Sequence, residues 1–245
     1  MSLTLYHNPV STCSQKVRIT LAEKGIPFES KVIDWLAQDH LSDWYLKINP
    51  NGVVPTLVHN DVPVMDSSVI CEYLEEVFPQ NSLAPSAPLE RAEMRAWMRY
   101  FEEVPTTAIR IPSFNMRFKE SLAALDEEVF DDMTAKMPLR KQMYREMGQK
   151  GFSDGKFDES IERLRSCLER VSSTLNDGRP WLLGDNFSIA DIVLIPSVVR
   201  MVDLGLAHVW DDLPVVQGWL DRVLERPSFD VAYFPGSRMK GPEGG

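Results

Sequence analysis

Pro9-Val10-Ser11-Thr12-Cys13-Ser14 concentrates three hydroxyls and a thiol where a strand pattern gives way to a helix pattern. A helix start presents unpaired N–H groups and a positive partial charge, so a thiolate or other anion beside it is stabilised. Ser11 is of the N-cap type, with a side-chain oxygen able to take the amide of residue 13 or 14. Ser11, Cys13 and Ser14 are the reactive side chains at this junction, and a simple helix cap is the plainer role for Ser11. A thiol with a pKa of about 8.5 is roughly 3% ionised at pH 7, and lowering it by about two units takes about 2.7 kcal/mol of preferential stabilisation. One hydrogen bond to a charged acceptor contributes about 1.5–3 kcal/mol and a helix terminus about 0.3–1 more, so a single hydroxyl here suffices.

Two further clusters lie downstream. Asn49-Pro50-Asn51-Gly52-Val53-Val54-Pro55-Thr56 sets a turn and a proline directly before a strand, and Asp66-Ser67 opens the following helix as an acid–hydroxyl pair suited to N-capping. Cys13, Cys71 and Cys167 are odd in number, and with His7, His40, His59 and His208 they are scattered at no metal-like spacing. Neither a disulfide framework nor a metal site is expected.

The elements that must position these groups fall into two halves. Leu3–His7, Phe28–Ile33, Thr56–Val58 and Val62–Met65 read as strands; Lys16–Glu23 and Val69–Val77 read as helices, the first closed by Gly25 as a C-terminal cap. His59-Asn60-Asp61 is short enough for a hairpin, so the sheet is mixed. After Pro79 the stretch 80–88 carries two prolines and two serines and reads as a linker. Leu89–Glu103, Lys119–Met133, Lys156–Leu175, Ile189–Val202 and Val215–Leu224 then show helical spacing, with a capping box at Ser188-Ile189-Ala190-Asp191. The expected fold is an α/β unit over 1–79 and an all-α helical bundle over 89–245. Arg117 to Phe152, charged and Met-rich, reads as a long solvated helical hairpin rather than a lid.

The 245 residues are 44% hydrophobic, enough for a sizeable core, and 36 acidic against 26 basic residues give a net charge of −10. That sign disfavours a nucleic-acid partner. The longest apolar runs fall far short of the about 20 residues that span a bilayer, and the amino terminus has no basic flank or apolar signal core, so no membrane association and a cytoplasmic location are expected.

Together these residues resemble the cytosolic glutathione transferase family over nearly the whole chain. The resemblance is carried by Ser11-Thr12-Cys13-Ser14 after a strand, Asn49-Pro50-x-Gly52-x-Val54-Pro55, Asp66-Ser67-x-x-Ile70, and Ser188-Ile189-Ala190-Asp191, in that order and spacing. It implies a thioredoxin-like first domain, an all-helical second domain, a cis Pro55, glutathione as co-substrate and a homodimer. By resemblance, the Val54 backbone before Pro55 pairs with the cysteinyl part of glutathione, Asp66 and Ser67 receive its γ-glutamyl end, and His40 meets its glycyl carboxylate. Two positions depart from the family pattern: Leu41 stands where a basic residue often follows His40, and Val53 where a polar residue often precedes Val-Pro.

Within the family, Ser11 aligns with the hydroxyl of plant-type serine classes and Cys13 with the cysteine of bacterial beta-class members. Ser11-Thr12-Cys13 is similar to the Ser-x-Cys of zeta-class isomerases and reductive dehalogenases. Ser14 aligns with a serine of bacterial β-aryl-ether-cleaving relatives, which the Ile70–Glu75 run and the 117–152 segment also resemble. The resemblance thus implies activation of the glutathione thiol for attack on a small hydrophobic electrophile, with ether cleavage, dehalogenation or isomerisation, or a non-catalytic binding module, as alternatives. Tyr6, in a strand pattern, is given a packing role. Tyr100, Thr107, Met116, Tyr233 and Phe234 are candidate walls for the electrophile, and the tail 235–245 is expected to be mobile and to reach over the pocket.

Overall fold

The computed structural model describes residues 2–239. Four strands, β1 (Leu3–His7), β2 (Glu29–Val32), β3 (Thr56–His59) and β4 (Val62–Met65), form one sheet in the order β2-β1-β3-β4. β1 runs parallel to β2 and antiparallel to β3, and β3 is antiparallel to β4, which makes the sheet mixed as expected. The β3–β4 turn is made by Asn60 and Asp61, both at positive φ (48° and 66°), a conformation that asparagine and aspartate tolerate and that matches the twist of the flanking strands.

Helix α1 (Thr12–Lys24) connects β1 to β2, α2 (Asp43–Leu46) precedes β3, and α3 (Ser67–Val77) follows β4. The helical part contains α4 (Pro88–Glu103), α5 (Pro105–Ala108), α6 (Arg110–Ser113), α7 (Lys119–Ala123), α8 (Glu127–Lys136), α9 (Lys141–Met147), α10 (Asp154–Leu175), α11 (Ile189–Asp203), α12 (Pro214–Leu224) and α13 (Pro227–Ala232). The architecture is a thioredoxin-like α/β unit beside an all-helical one. α4 begins at Pro88, one residue earlier than its periodicity indicates, because a proline at the first helical position has its φ already set and loses no bond.

One hydrophobic core runs through both halves, from Leu5, Val17 and Leu57 in the sheet unit to Trp97, Ile192 and Val199 in the helices. α1 packs against α3, α11 and α13 and shares the core with β1 and β3, so it is buried on nearly every side rather than along a single stripe. Its polar residues are consequently paired. The Lys16 ammonium, fully buried, donates to Glu102 at 2.6 Å and to Thr106 at 3.0 Å. Asp191 is also fully buried; its carboxylate accepts from the amides of Ser188 and Leu182, the Ser188 hydroxyl and the Trp219 indole, and anchors the start of α11.

The segment 117–152 departs from the solvated-hairpin expectation. The helical run over 119–133 breaks at Ala124–Asp126 into α7 and α8, and Phe130, Met133, Met137, Met147 and Phe152 form a small hydrophobic cluster of their own. Three of the segment's methionines, Met133, Met137 and Met147, are thus core residues of this satellite. No helix of the described residues is long and apolar enough to cross a membrane.

Candidate functional site

A cavity of about 580 Å³ opens between the carboxyl end of β1 and the helices. Its α/β wall is the loop from Asn8 to Cys13, the turn around Trp35 and His40, and the segment from Asn51 to Val54; its helical wall runs from Ile109 through Tyr144, closed by Arg200 and Met239.

Ser11 caps α1, its Oγ accepting the Ser14 amide at 3.2 Å. That bond uses a lone pair and leaves the O–H to donate, so capping and catalysis are compatible in the same hydroxyl. The amides of Thr12 and Cys13 find no acceptor among the described residues, and both residues face the cavity. Cys13 is partly exposed there, with no hydrogen-bond partner for its thiol among the described residues. Ser14, by contrast, is fully buried outside the cavity lining, its Oγ 3.4 Å from the Asn8 amide. One residue after Cys13, the helical turn aims its side chain into the protein.

Two arginines that sequence reasoning missed lock this loop. Arg18 donates to the carbonyls of Pro9 (2.8 Å) and Ala232 (3.0 Å) and to His7 Nδ1 (3.1 Å), and Arg200 donates to the carbonyl of Val10 and to Ser113 Oγ. Because an arginine can only donate, His7 accepts through Nδ1 and its Nε2–H points at Ser30 Oγ, 2.7 Å away. Burial, reinforced by Arg18, lowers the His7 pKa to about 4, and burial lowers that of Arg18 to about 10. The sequence signal was a basic residue, Arg200, at the end of an otherwise apolar helical run; Arg18, among Gln15, Lys16 and Thr20, carried none.

Val54–Pro55 is cis. Val54 faces the cavity, and its main-chain N–H and C=O have no partner among the described residues, which leaves a strand-like edge for an extended ligand. The turn before it is held from beneath: Asn49 Nδ2 donates to the Val53 carbonyl at 2.9 Å and the Tyr45 hydroxyl donates to the same carbonyl at 2.7 Å. Gly52 sits at φ +59°, where a Cβ would lie 3.0 Å from Pro138 Cδ, so only glycine suits both the turn and the approach of the helical segment. Pro55 is buried and outside the cavity lining.

His40 lines the cavity; its buried Nδ1 has no partner and burial lowers its pKa, so it enters as a neutral imidazole. Asp66 and Ser67 are not in the lining. Asp66 stands one register step beyond the Thr56–Met65 pair, which sets it opposite Pro55, and its Oδ1 caps α3 through the amides of Ser68 (3.0 Å) and Val69 (3.1 Å). Ser68 in turn donates to Glu102, the partner of Lys16. The structure therefore brings Ser11, Cys13, His40 and Val54 onto one cavity and leaves Asp66 and Ser67 outside its lining.

The electrophile walls differ from expectation. Tyr100 lies under Arg170, Tyr233 stacks on Phe229 and donates to Gln15, Phe234 lies under Arg18, Thr107 bonds back to its own helix, and Met116 is exposed; none lines the cavity. The apolar wall comes instead from Phe114, Phe118, Leu122, Met133, Met137 and Tyr144. A single π-helical turn, Phe114–Phe118, aims Phe118 across the cleft against Trp35 at 6.1 Å. Tyr6 packs against Trp44 and Tyr45, away from the cavity. Residues 235–239 of the tail are pinned rather than loose: Gln15 donates to the Ser237 carbonyl and the Met239 amide to Asp203, while Lys240 to Gly245 lie outside the described residues.

Residues 10–77 match the glutathione S-transferase N-terminal domain family and residues 154–222 the C-terminal domain family. Protein LigF of Sphingobium sp. (strain NBRC 103272 / SYK-6) is 33% identical, over 93% of this chain and 91% of LigF. The crystal structure of β-etherase LigF from Sphingobium sp. strain SYK-6 superposes with a TM-score of 0.86, over 95% of this chain and 99% of that one, at 32% identity. Glutathione S-transferase 1 of Dianthus caryophyllus is 30% identical over 93% of this chain and 89% of its own. A stringent starvation protein A homolog of Haemophilus ducreyi is 28% identical over 93% and 87%. The chain belongs to the glutathione S-transferase family.

Proposed function

We propose that this chain is a glutathione transferase that activates the thiol of bound glutathione and delivers it to a small hydrophobic electrophile in the cavity. The observation that carries this is the open first turn of α1: a hydroxyl free to donate and two unpartnered amides, facing an apolar cavity. Glutathione lies extended, its main chain paired with Val54, its glycyl carboxylate near His40 and its γ-glutamyl end at Asp66–Ser67, where a helix start and an acid suit a zwitterion. Ser11 donates to the thiolate sulfur, which attacks carbon with proximity supplying most of the acceleration. The leaving group departs with the bonding electron pair and takes up a proton.

The likeness to β-etherase LigF favours an aryl ether as the electrophile. The thiolate then forms a C–S bond as the C–O bond breaks, and a phenolate leaves. Cys13, partly exposed on the same cavity, supports a second reading in which its own thiolate acts in dehalogenation or isomerisation. A homodimer is supported by exposed apolar side chains at Val62, Val69 and Leu89, on β4, α3 and α4, and a cytoplasmic location by three unpaired cysteines. The division into 1–79, a linker over 80–88, and 89–245 is part of the same reading.

Thiolate absorbance on adding glutathione at about pH 6.5, where the free thiol is about 1% ionised, tests it. Absorbance that appears with glutathione, survives Cys13→Ala and is lost in Ser11→Ala is the expected outcome. Absorbance present without glutathione and lost with Cys13→Ala moves the chemistry to the cysteine. No glutathione binding at all leaves a non-catalytic module.

A further inference from the structure

The cavity is charged in a way that glutathione activation does not require. The chain carries a net charge of −10, yet four arginines, Arg110, Arg117, Arg140 and Arg200, line this cavity against one acid, Asp34. Asp34 is exposed, and its Oδ1 is occupied by the amides of Leu36 (2.8 Å) and Ala37 (3.3 Å). Two of the arginines have structural work: Arg200 holds Val10 and Ser113, and Arg117 donates to the Asp203 carbonyl at 3.2 Å. Arg110 and Arg140 donate no hydrogen bond and pair with no carboxylate among the described residues.

An unpaired guanidinium in an apolar wall is costly, and two beside each other cost more. Arg140 emerges after the apolar Met137 and just ahead of Met143 and Tyr144, all cavity-lining. Burial, and then the neighbouring charge of Arg110, lower its proton affinity, while Cys13, Tyr144 and Glu102 act on it in the opposite sense; Glu102, which also feels Arg110, is itself bonded to Lys16 and Ser68. The two cations thus line the same cavity as Cys13, with an aromatic and methionine surface around them. Planar, five-donor guanidinium groups match a carboxylate through paired hydrogen bonds.

We propose that Arg110 and Arg140 form a carboxylate subsite, so that the second substrate is an aromatic electrophile bearing a carboxylate. This rests on the glutathione-transferase reading above. His40, Val54 and Asp66–Ser67 remain the groups assigned to glutathione, and the arginines determine which electrophile is accepted.

Isothermal titration of the full chain with S-benzylglutathione and with its 3- and 4-carboxybenzyl counterparts tests the subsite without depending on turnover. At least one carboxybenzyl isomer is expected to bind about ten-fold tighter than S-benzylglutathione, or about 1.4 kcal/mol. That advantage disappears in Arg110→Gln/Arg140→Gln, while affinity for S-benzylglutathione is unchanged, which also shows that the variant is folded. Arg110→Gln alone and Arg140→Lys supply the comparison if the double variant does not fold; each reduces the advantage. Equal binding of all three ligands by the unaltered chain overturns the proposal. Loss of S-benzylglutathione affinity in the variants also overturns it, because the arginines then hold glutathione itself. If none of the three binds, the glutathione reading falls, and the subsite with it.

Discussion

The two walls of the cavity are built on different principles. On the α/β side, the loop from Asn8 to Cys13 is held by Arg18 and Arg200, capped by Ser11 and packed on the main core. On the helical side, residues 117–152 close around their own small cluster of Phe130, Met133, Met137, Met147 and Phe152, which meets the α/β wall at Leu41, at Trp35 through Phe118 and at Gly52 through Pro138. Groups that must stay within a few tenths of an ångström of a reacting sulfur are placed where every neighbour is fixed. Groups that choose a substrate sit on a satellite that can be remodelled without disturbing the main core.

Removing the clamp is the most damaging way to break that contrast. Arg18→Met leaves the Pro9 and Ala232 carbonyls unpaired in the interior and is expected to cost about 3–5 kcal/mol, read by chemical denaturation, with loss of activity at any electrophile. An equal loss from Arg110→Met, on the softer wall, would erase the distinction.

Acid pH acts on the same rigid side. His7 has its pKa lowered to about 4 in the folded protein against about 6.5 unfolded, so between these values the unfolded chain binds more protons. Stability is complete above about pH 6.5 and falls as pH drops towards 4, by about 2–3 kcal/mol from this group. Thermal melts across that range should slope accordingly in the unaltered chain and less steeply in His7→Asn; identical slopes would remove His7 from the account.

Ser11→Ala separates catalysis from scaffolding. Loss of the cap costs about 1 kcal/mol of stability, while loss of the donor to the thiolate lowers kcat/KM about 10–100-fold, and steady-state kinetics alongside a melt distinguishes the two. Met133→Ala is the mildest change, aimed at the satellite. It is expected to raise KM for the electrophile several-fold at unchanged KM for glutathione; a matching rise in both would mean that the two walls are mechanically one.

Much of the rigid wall was legible in the chain. β1 and β4 occupy the spans their alternation indicates, Ser11 and Asp66 cap the helices they precede, and Gly52 is where a positive φ is needed. These are local matters of periodicity, capping and turn chemistry. The wall opposite was not legible. A Met-rich, charged stretch has the composition of a solvated surface until its partners are known, and Tyr100, Tyr233 and Phe234 looked like binding aromatics until the tertiary fold gave each an arginine or a ring to pack against. Ser14 shares chemistry and position with Ser11 and Cys13, and only the phase of α1 in its surroundings turns it inward.

The sequence by itself determined the two-part architecture, the strand–helix junction that carries a hydroxyl and a thiol, and the turn before Pro55, because each depends on residues within a few positions of one another. The tertiary structure alone decided which of those side chains share a cavity, which arginines are consumed as clamps and which two line that cavity without a carboxylate partner among the described residues. Those outcomes depend on contacts between residues as far apart as Val10 and Arg200, and no local pattern records a partner that the folded chain brings from so far away.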